Sequence, residues 1–318
     1  MAPPLGWIEP QNRTKEMHDA VALAQSKFCK MALARPSLSK GTKLLLTDSW
    51  NAPEVLADLN GAIFTGFHQL TGSCVGVSDG DAVFTLGCIQ RKLANTPTKA
   101  FIPWWPTSYG RSRAKAGIRG QGEGSIDSVM GQVMIEEGVD DVLAAQYDTT
   151  DGYVIPSRTE MAWSDGNSSL VTARVPHTKQ FPMGGMAAVY DVDSIYAGIV
   201  NGYPCLNGCN NYMGSASVRQ TSTGRVAIGT YNGRGGHSTT FLGIWEHPDL
   251  GTLFLYHNQW PGSTYPDDDS GKPRCSCWAT EAEVSKLFRT GGGDGETMLF
   301  SHLSYLPAQP RVLDWSQI

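Results

Sequence analysis

No stretch of the chain approaches the ~18 consecutive apolar residues that a membrane helix requires, so membrane insertion is not expected. The opening residues, Met1 to Trp7, contain neither a basic cluster nor an apolar run, and no export signal is expected there. Charge is scarce at 17%. Lys and Arg number 25 against 30 Asp and Glu, a net charge of −5, which disfavours a nucleic-acid binder that works by neutralising phosphates. There is no internal repeat, no low-complexity tract and no G-X-Y period, which excludes solenoid and collagen-like architectures. Cysteine is present seven times, an odd number that leaves at least one thiol free. Without an export signal such cysteines point to a reducing compartment, the cytoplasm where the chain is made.

What remains is a globular protein. Its 318 residues are 41% hydrophobic, enough for about two lobes with a real core. The 36 glycines predict many turns and long loops, and the nine tryptophans large rigid anchors between them. Residues 1–12 read as an extended tail. Met17, Ala20, Leu23, Ala24 and Phe28 recur at helical spacing after Thr14, and Pro36 ends that pattern. Lys43 to Thr47 reads as a strand, and Pro53 to Leu59 as a short helix. The mostly apolar stretch from Cys74 to about Leu93 reads as a buried helix. Residues 96–124, with three prolines and repeated glycine, read as loop. Ser125 is the expected N-cap of a helix ending before Gly138. A further helix is expected over residues 191–201, and strands dominate from Arg225. Thr280 and Glu283 form a capping box, and Gly291-Gly292-Gly293 should stop that helix. Helices first and strands later is an α+β order.

The chemistry begins at Cys74. A cysteine opening a helix faces unpaired backbone N–H groups and the positive end of the helix dipole, which favour a thiolate. Taken alone, a small buried hydrophobe is the blander explanation. A nucleophilic thiol needs a base, and His237 stands at the start of a strand behind Gly233, Gly235 and Gly236. The base needs an orienting partner. Strands over 239–245 and 252–257 flank a turn at His247 to Gly251. A hairpin centred between His247 and Pro248 places Asn258 opposite His237, where its side-chain oxygen can fix the imidazole tautomer. Trp260 can then cover that bond from water, and strand alternation turns His257 to the other face.

Cys, His and Asn in that order, with these neighbours, resemble the papain-like cysteine peptidases, in a divergent form of bacterial or phage type. Gly72-Ser73-Cys74 is similar to the nucleophile motif, Gly235-Gly236-His237 to the histidine motif, and Asn258-Gln259-Trp260-Pro261 to the Asn-Ser-Trp-Gly motif, with Pro261 replacing the glycine. Gln69 is similar to the glutamine that helps form the oxyanion hole, although it stands five positions before Cys74 where six is usual and His68 occupies the sixth. The resemblance spans roughly residues 50 to 310 as scattered short motifs. It implies an α+β, two-lobed papain-like fold: a helical lobe (about 46–150) whose central helix is opened by Cys74, and a strand-rich lobe (about 151–318) carrying His237 and Asn258. It implies a cysteine endopeptidase, a thiol hydrolase that cleaves peptide bonds of a protein or peptide substrate through a thioester. A Cys74–His237 thiolate–imidazolium pair would act, with Gln69 and the Cys74 N–H holding the oxyanion. No metal or organic cofactor is implied.

Residues 1–45 form an N-terminal extension, tail plus helix, expected to pack or dock, with an inhibitory pro-segment as the alternative. The rival function is a structural virion or assembly protein on the same scaffold, with or without residual activity, located in a virion and docked into a larger assembly. Cys205, Cys209, Cys275 and Cys277 could be zinc ligands or disulfide-forming, but free thiols in loops is the preferred reading. Cys29 and Cys88 are expected in the core. Trp104 and Trp105 could line a cleft or pack between lobes. Asp267 to Asp269, and the basic residues Arg111, Arg113, Lys115 and Arg119, read as surface.

Overall fold

The computed structural model describes residues 6–30, 35–94, 101–141, 147–148, 153–260, 265–289 and 296–304. In chain order the elements are α1 (Lys15–Ser26), β1 (Cys29–Lys30), β2 (Lys43–Leu45), α2 (Pro53–Asp58), β3 (Phe67–His68), α3 (Cys74–Ala94), α4 (Trp105–Lys115), α5 (Asp127–Glu136), β4 (Tyr153–Val154), α6 (Ser157–Trp163), α7 (Ser169–Thr172), α8 (Val175–Thr178), β5 (Met183–Ala188), α9 (Val192–Val200), β6 (Cys205–Thr221), β7 (Gly224–His247), β8 (Gly251–His257), β9 (Ser276–Thr280), α10 (Glu281–Val284), α11 (Lys286–Arg289) and β10 (Glu296–Leu303). Among the described residues, no helix is long and apolar enough to cross a membrane.

Central helix α3 explains the arrangement. Val75, Val77, Ala82, Val83, Phe84 and Leu86 are all fully buried, and so are the polar Ser78, Asp79, Asp81 and Thr85, so the helix is enclosed on every face. It packs against α4 and α5 on one side and against β7 and β10 on the other. Gly76 and Gly80 make this possible, since a Cβ on Gly76 would stand 2.4 Å from the Trp105 ring.

The large sheet runs β1-β5-β10-β6-β7-β8-β9, with β2 also on β7. Strand β7 is 24 residues long. Its end pairs with β8, while Ile228 near its start meets Trp278 of β9, so the sheet curls on itself. One core lies among α3, the helices and the inner sheet face; a second is built by Ile195, Tyr196 and Ile199 of α9 against the opposite face.

Several expectations match the elements. Thr14 caps α1 by accepting from Met17 N at 3.3 Å, Asp191 caps α9, and Thr280 caps α10. Gly138 ends α5 at φ +84°. Others need correction. Residues 96–124 are not all loop: α4 begins at Trp105 with Pro106 in its first turn, where a missing N–H costs nothing. Ser125 is not an N-cap; Ile126 precedes α5 without a side-chain cap. The strand at Lys43 stops at Leu45 and continues as a 3-10 helix (Leu46–Asn51). The longer strands begin at Met183, well before Arg225. Within residues 1–45, β1 pairs with β5 and β2 with β7. Gly291 to Gly293 and Pro261 lie outside the described residues.

Candidate active site

Cys74 is the first residue of α3 and is fully buried. Its Sγ accepts the Ser238 N–H at 3.3 Å, so the thiol lies against the residue next to His237. His237 is also buried, and its Nε2 is 2.9 Å from Asn258 Oδ1. The Trp260 ring stacks on the imidazole at 4.7 Å and 18°, and Tyr212 meets it edge-on at 5.1 Å. The expected cover over the His–Asn bond is therefore present.

The route to that bond differs from the expected one. The strand pairs His247↔Gly251 and Trp245↔Leu253 centre the turn on Asp249, and a bulge between Phe241 and Gly243 shifts the register, so Thr240 faces His257. Asn258 consequently lies beyond the end of β8, and its side chain reaches back to His237.

A chain of donors fixes how Asn258 points. Tyr265 gives its hydroxyl proton to Met213 O in a short hydrogen bond. Its oxygen can then only accept, which it does from Asn258 Nδ2 at 3.2 Å. The remaining Asn258 oxygen takes the Gln259 N–H at 2.8 Å and faces His237. An amide oxygen cannot donate, so His237 Nε2 carries the proton and Nδ1 bears the lone pair. Nδ1 is buried and has no hydrogen-bond partner. Cys275, at φ +63°, supports the same segment: its carbonyl accepts the Asn258 N–H at 3.0 Å, and its thiol lies 3.1 Å from Trp260 O.

Gln69 is buried on the turn before Cys74, with its amide N donating to Thr71 O at 3.1 Å and its backbone N–H to Gln259 O. His68, the residue at the usual spacing, points elsewhere, with Nε2 3.9 Å from Cys275 Sγ. Glu160 of α6 clamps the turn. It accepts from Leu70 N at 3.3 Å, Ser73 Oγ at 3.2 Å and, in a short bond, Thr71 Oγ1. Burial pushes its carboxyl up to about 7. Nothing local in the sequence marks Glu160, which stands 89 positions from Thr71.

The N-terminal tail lies over the nucleophile. Gly6 O accepts the Ser125 N–H at 2.8 Å, Ile8 N donates to Ser125 O at 2.9 Å, and Trp7 N donates to Gly236 O at 3.3 Å. The Gly6 backbone lies near enough to the Cys74 thiol to favour its charged form, against the effect of burial. The fit requires glycine on both sides: a Cβ on Gly6 would stand 1.7 Å from Gly72 O, and one on Gly236 2.0 Å from Trp7 O. Arg13 anchors the far end, 2.9 Å from Glu296, both side chains being at most 4% exposed.

Burial acts on both groups in opposite directions. Burial pushes the Cys74 thiol up to about 12, against the hydrogen bond from Ser238. Burial pulls His237 down to about 4, against its bond to Asn258. Burial thus favours the neutral thiol and neutral imidazole over the thiolate–imidazolium pair expected from the sequence.

The other candidates separate. Cys205 and Cys209 lie in β6 and Cys277 in β9 rather than in loops, while Cys275 lies in the turn just before β9; all four are buried free thiols. They do not gather; the single group with metal-ligand geometry among the described residues is Asp140, Asp141 and His177. There Arg174 already binds both Asp140 oxygens, at 2.8 and 2.6 Å. Cys88 is buried in α3. Trp104 and Trp105 are buried, Trp104 against Tyr147 and Trp163. Arg113 is not on the surface; it holds Glu123 O, Gly124 O and Ser164 O. Asp268 and Asp269 cap the Ala227 and Arg225 N–H groups. His257 faces away from the site, with Nδ1 2.8 Å from Ser276 Oγ and Nε2 3.5 Å from Asp81.

No protein-family model matches the chain, and no curated protein matches it by sequence. Solved structures do match. Xylellain, a cysteine protease from Xylella fastidiosa, superposes with a TM-score of 0.51 at 15% identity, covering 87% of this chain and 97% of that one. Procathepsin B S9 from Trypanosoma congolense gives 0.50 at 9% identity over 93% and 85%. Digestive procathepsin L 3 of Tenebrio molitor larval midgut gives 0.51 at 10% over 90% and 78%. The fold is therefore that of the papain-like cysteine proteases, α+β with a helical side and a curled antiparallel sheet. At these identities the likeness establishes the fold.

Proposed function

We propose that the chain is a cysteine peptidase of papain-like type whose cleft is covered by its own N-terminal tail. The observation that carries the reading is the His237–Asn258 pair under Trp260, with the unpartnered Nδ1, beside a cysteine that opens the central helix. With the tail displaced, water re-enters, the desolvation that holds both groups neutral falls away, and the Cys74 proton passes to His237 Nδ1. The thiolate then attacks the carbonyl carbon of a peptide bond. The oxyanion is held by the Cys74 N–H and by the Gln69 amide, which turns from Thr71 O toward it. The C–N bond breaks as His237 returns its proton to the leaving amine, leaving a thioester. A water gives one proton to His237 and its oxygen to the thioester carbon; the C–S bond breaks, and the acid product departs with the thiolate restored. Asn258 keeps the imidazole oriented throughout.

The tail supports the pro-segment alternative over simple packing, since its backbone occupies the edge at Ser125 and reaches the thiol. No observation favours a purely structural assembly protein. The test is cleavage of denatured casein by a Gly6→Ala variant, in which the tail cannot seat. Cleavage that Cys74→Ala abolishes is expected. No cleavage, together with Cys74 alkylated by iodoacetamide only at the pace of an ordinary thiol near pH 8.5, would overturn the reading.

A further inference from the structure

The turn from Gln69 to Cys74 separates the two groups proposed to hold the oxyanion, and one buried carboxylate grips it at both ends. Glu160 of α6 is 2% exposed. One of its oxygens accepts the N–H of Leu70, next to Gln69, at 3.3 Å. The other accepts from Ser73 Oγ, next to Cys74, at 3.2 Å, and from Thr71 Oγ1 between them. Thr71 is the centre of the turn: its carbonyl accepts the Ser73 N–H at 2.8 Å and the Gln69 amide at 3.1 Å. Where Thr71 stands therefore decides from where the Gln69 amide reaches.

The charge on Glu160 matters because three donors converge on its two oxygens. An ionised carboxylate only accepts, and hydrogen bonds to it are roughly twice as strong as neutral ones. Once protonated, it must donate from one oxygen. A hydroxyl of Thr71 or Ser73 must then turn round to accept, and the grip slackens. Burial raises the carboxyl and the hydrogen bonds lower it, leaving it at about 7, so it changes charge near neutrality. The groups around it do not share that change. Tyr109 of α4, whose hydroxyl donates to Gly72 O at 3.0 Å, is pushed up by burial, away from neutrality, as are Tyr147 and Cys74. The Arg113 guanidinium of α4 is engaged with Ser164 O, and Arg158 on α6 itself is exposed.

We propose that Glu160 is a positioning residue of the candidate reaction: as an acceptor it fixes the turn so that the Gln69 amide and the Cys74 N–H stand ready together for the oxyanion, and it lets the turn slacken when it takes up a proton. The inference rests on the peptidase reading. It makes the ionised form the productive one, so cleavage should rise as pH passes upward through about 7.

Two measurements test it. The Leu70 amide proton is followed by heteronuclear NMR in the full wild-type chain and in Glu160→Gln, whose side-chain amide mimics the protonated carboxyl. A single titration step near pH 7 in the wild type, absent from the variant, is expected. A flat Leu70 signal in the wild type would overturn the inference without need of any variant. Casein cleavage is then measured against pH in the Gly6→Ala background, where the tail is dislodged. There kcat/KM should rise about tenfold from about pH 6 to about pH 8, the span of one ionisation. Adding Glu160→Gln should leave it flat and low, with kcat rather than KM reduced. A role in folding alone would lower the urea midpoint and leave the rise with pH in place, which would overturn the inference while the peptidase reading stands. If no cleavage that depends on Cys74 is seen at any pH, even where Leu70 titrates, the peptidase reading falls and takes this inference with it. The two failures are therefore distinguishable.

Discussion

Replacing Arg13 by Gln tests whether the tail is a separable latch. Arg13 and Glu296 are 2.9 Å apart and almost wholly buried, a contact set by charge rather than by an aligned hydrogen bond. Removing one partner of a buried pair costs about 3–5 kcal/mol, because the other charge is stranded. Glu296 need not stay stranded, however. Its other oxygen accepts the Ser128 N–H at 2.8 Å, and water can reach it once residues 6–13 lift away. The cost is then expressed as release of the tail, not as unfolding of the body. At about 3 kcal/mol the bound population falls roughly a hundredfold, since 1.4 kcal/mol is a factor of ten. Cys74 alkylation should accelerate by about that factor, while the urea midpoint of the whole protein moves little. The assay is iodoacetamide labelling by mass spectrometry beside a urea titration followed by tryptophan fluorescence. If Cys74 stays protected, or if its labelling rises only in step with global unfolding, the latch does not exist and the tail is part of the core.

Other predictions concern the body of the site. Trp260→Ala removes the ring stacked on His237 and admits water to the His–Asn bond; in the Gly6→Ala background casein cleavage should fall by about tenfold or more, within the general range for disturbing a general base, and an unchanged rate would count against the shielding role. His257 is held down to about 3 by burial, so its folded value lies below its unfolded one of about 6.5. The unfolded state then binds more protons across that window, and His257 contributes stability that is full above about pH 6.5 and lost as pH falls toward 3. Urea midpoints of wild type and His257→Gln should therefore converge on acidification through that window; parallel curves would refute the assignment. Gly138→Ala places a methyl 1.8 Å from Thr178 O at φ +84°, and should lower stability by about 2 kcal/mol or more, read as a lower urea midpoint.

The sequence revealed what is local and hid what is distant. Cys74 could be placed because α3 is a mostly apolar run that starts there, and Asn258 could be paired with His237 because a hairpin links them. Even so, the predicted turn centre was off: the bulge after Phe241 and the reach of Asn258 beyond β8 are not encoded by turn residues. Pro106 misled, since proline at the start of a helix and proline in a loop look alike until the buried face of α4 is known. Ser125 has the composition of an N-cap, yet its N–H and C=O are both taken by the tail. Gly6, Gly72 and Gly236 are far apart in the chain, and only their convergence shows why none carries a side chain. Tyr265, Met213 and Glu160 were silent for the same reason.

Because the cover is part of the same chain, its strength does not depend on protein concentration. Dilution removes an inhibitor that binds from solution, but a tethered segment returns at a fixed local concentration, of millimolar order for short flexible links. Every copy of this protein meets its own tail equally well when scarce or abundant. A free peptide must exceed that local concentration, weighted by its relative affinity, before it gains the cleft. Cutting the chain between Arg13 and the sheet would convert a permanent competitor into one that can diffuse away.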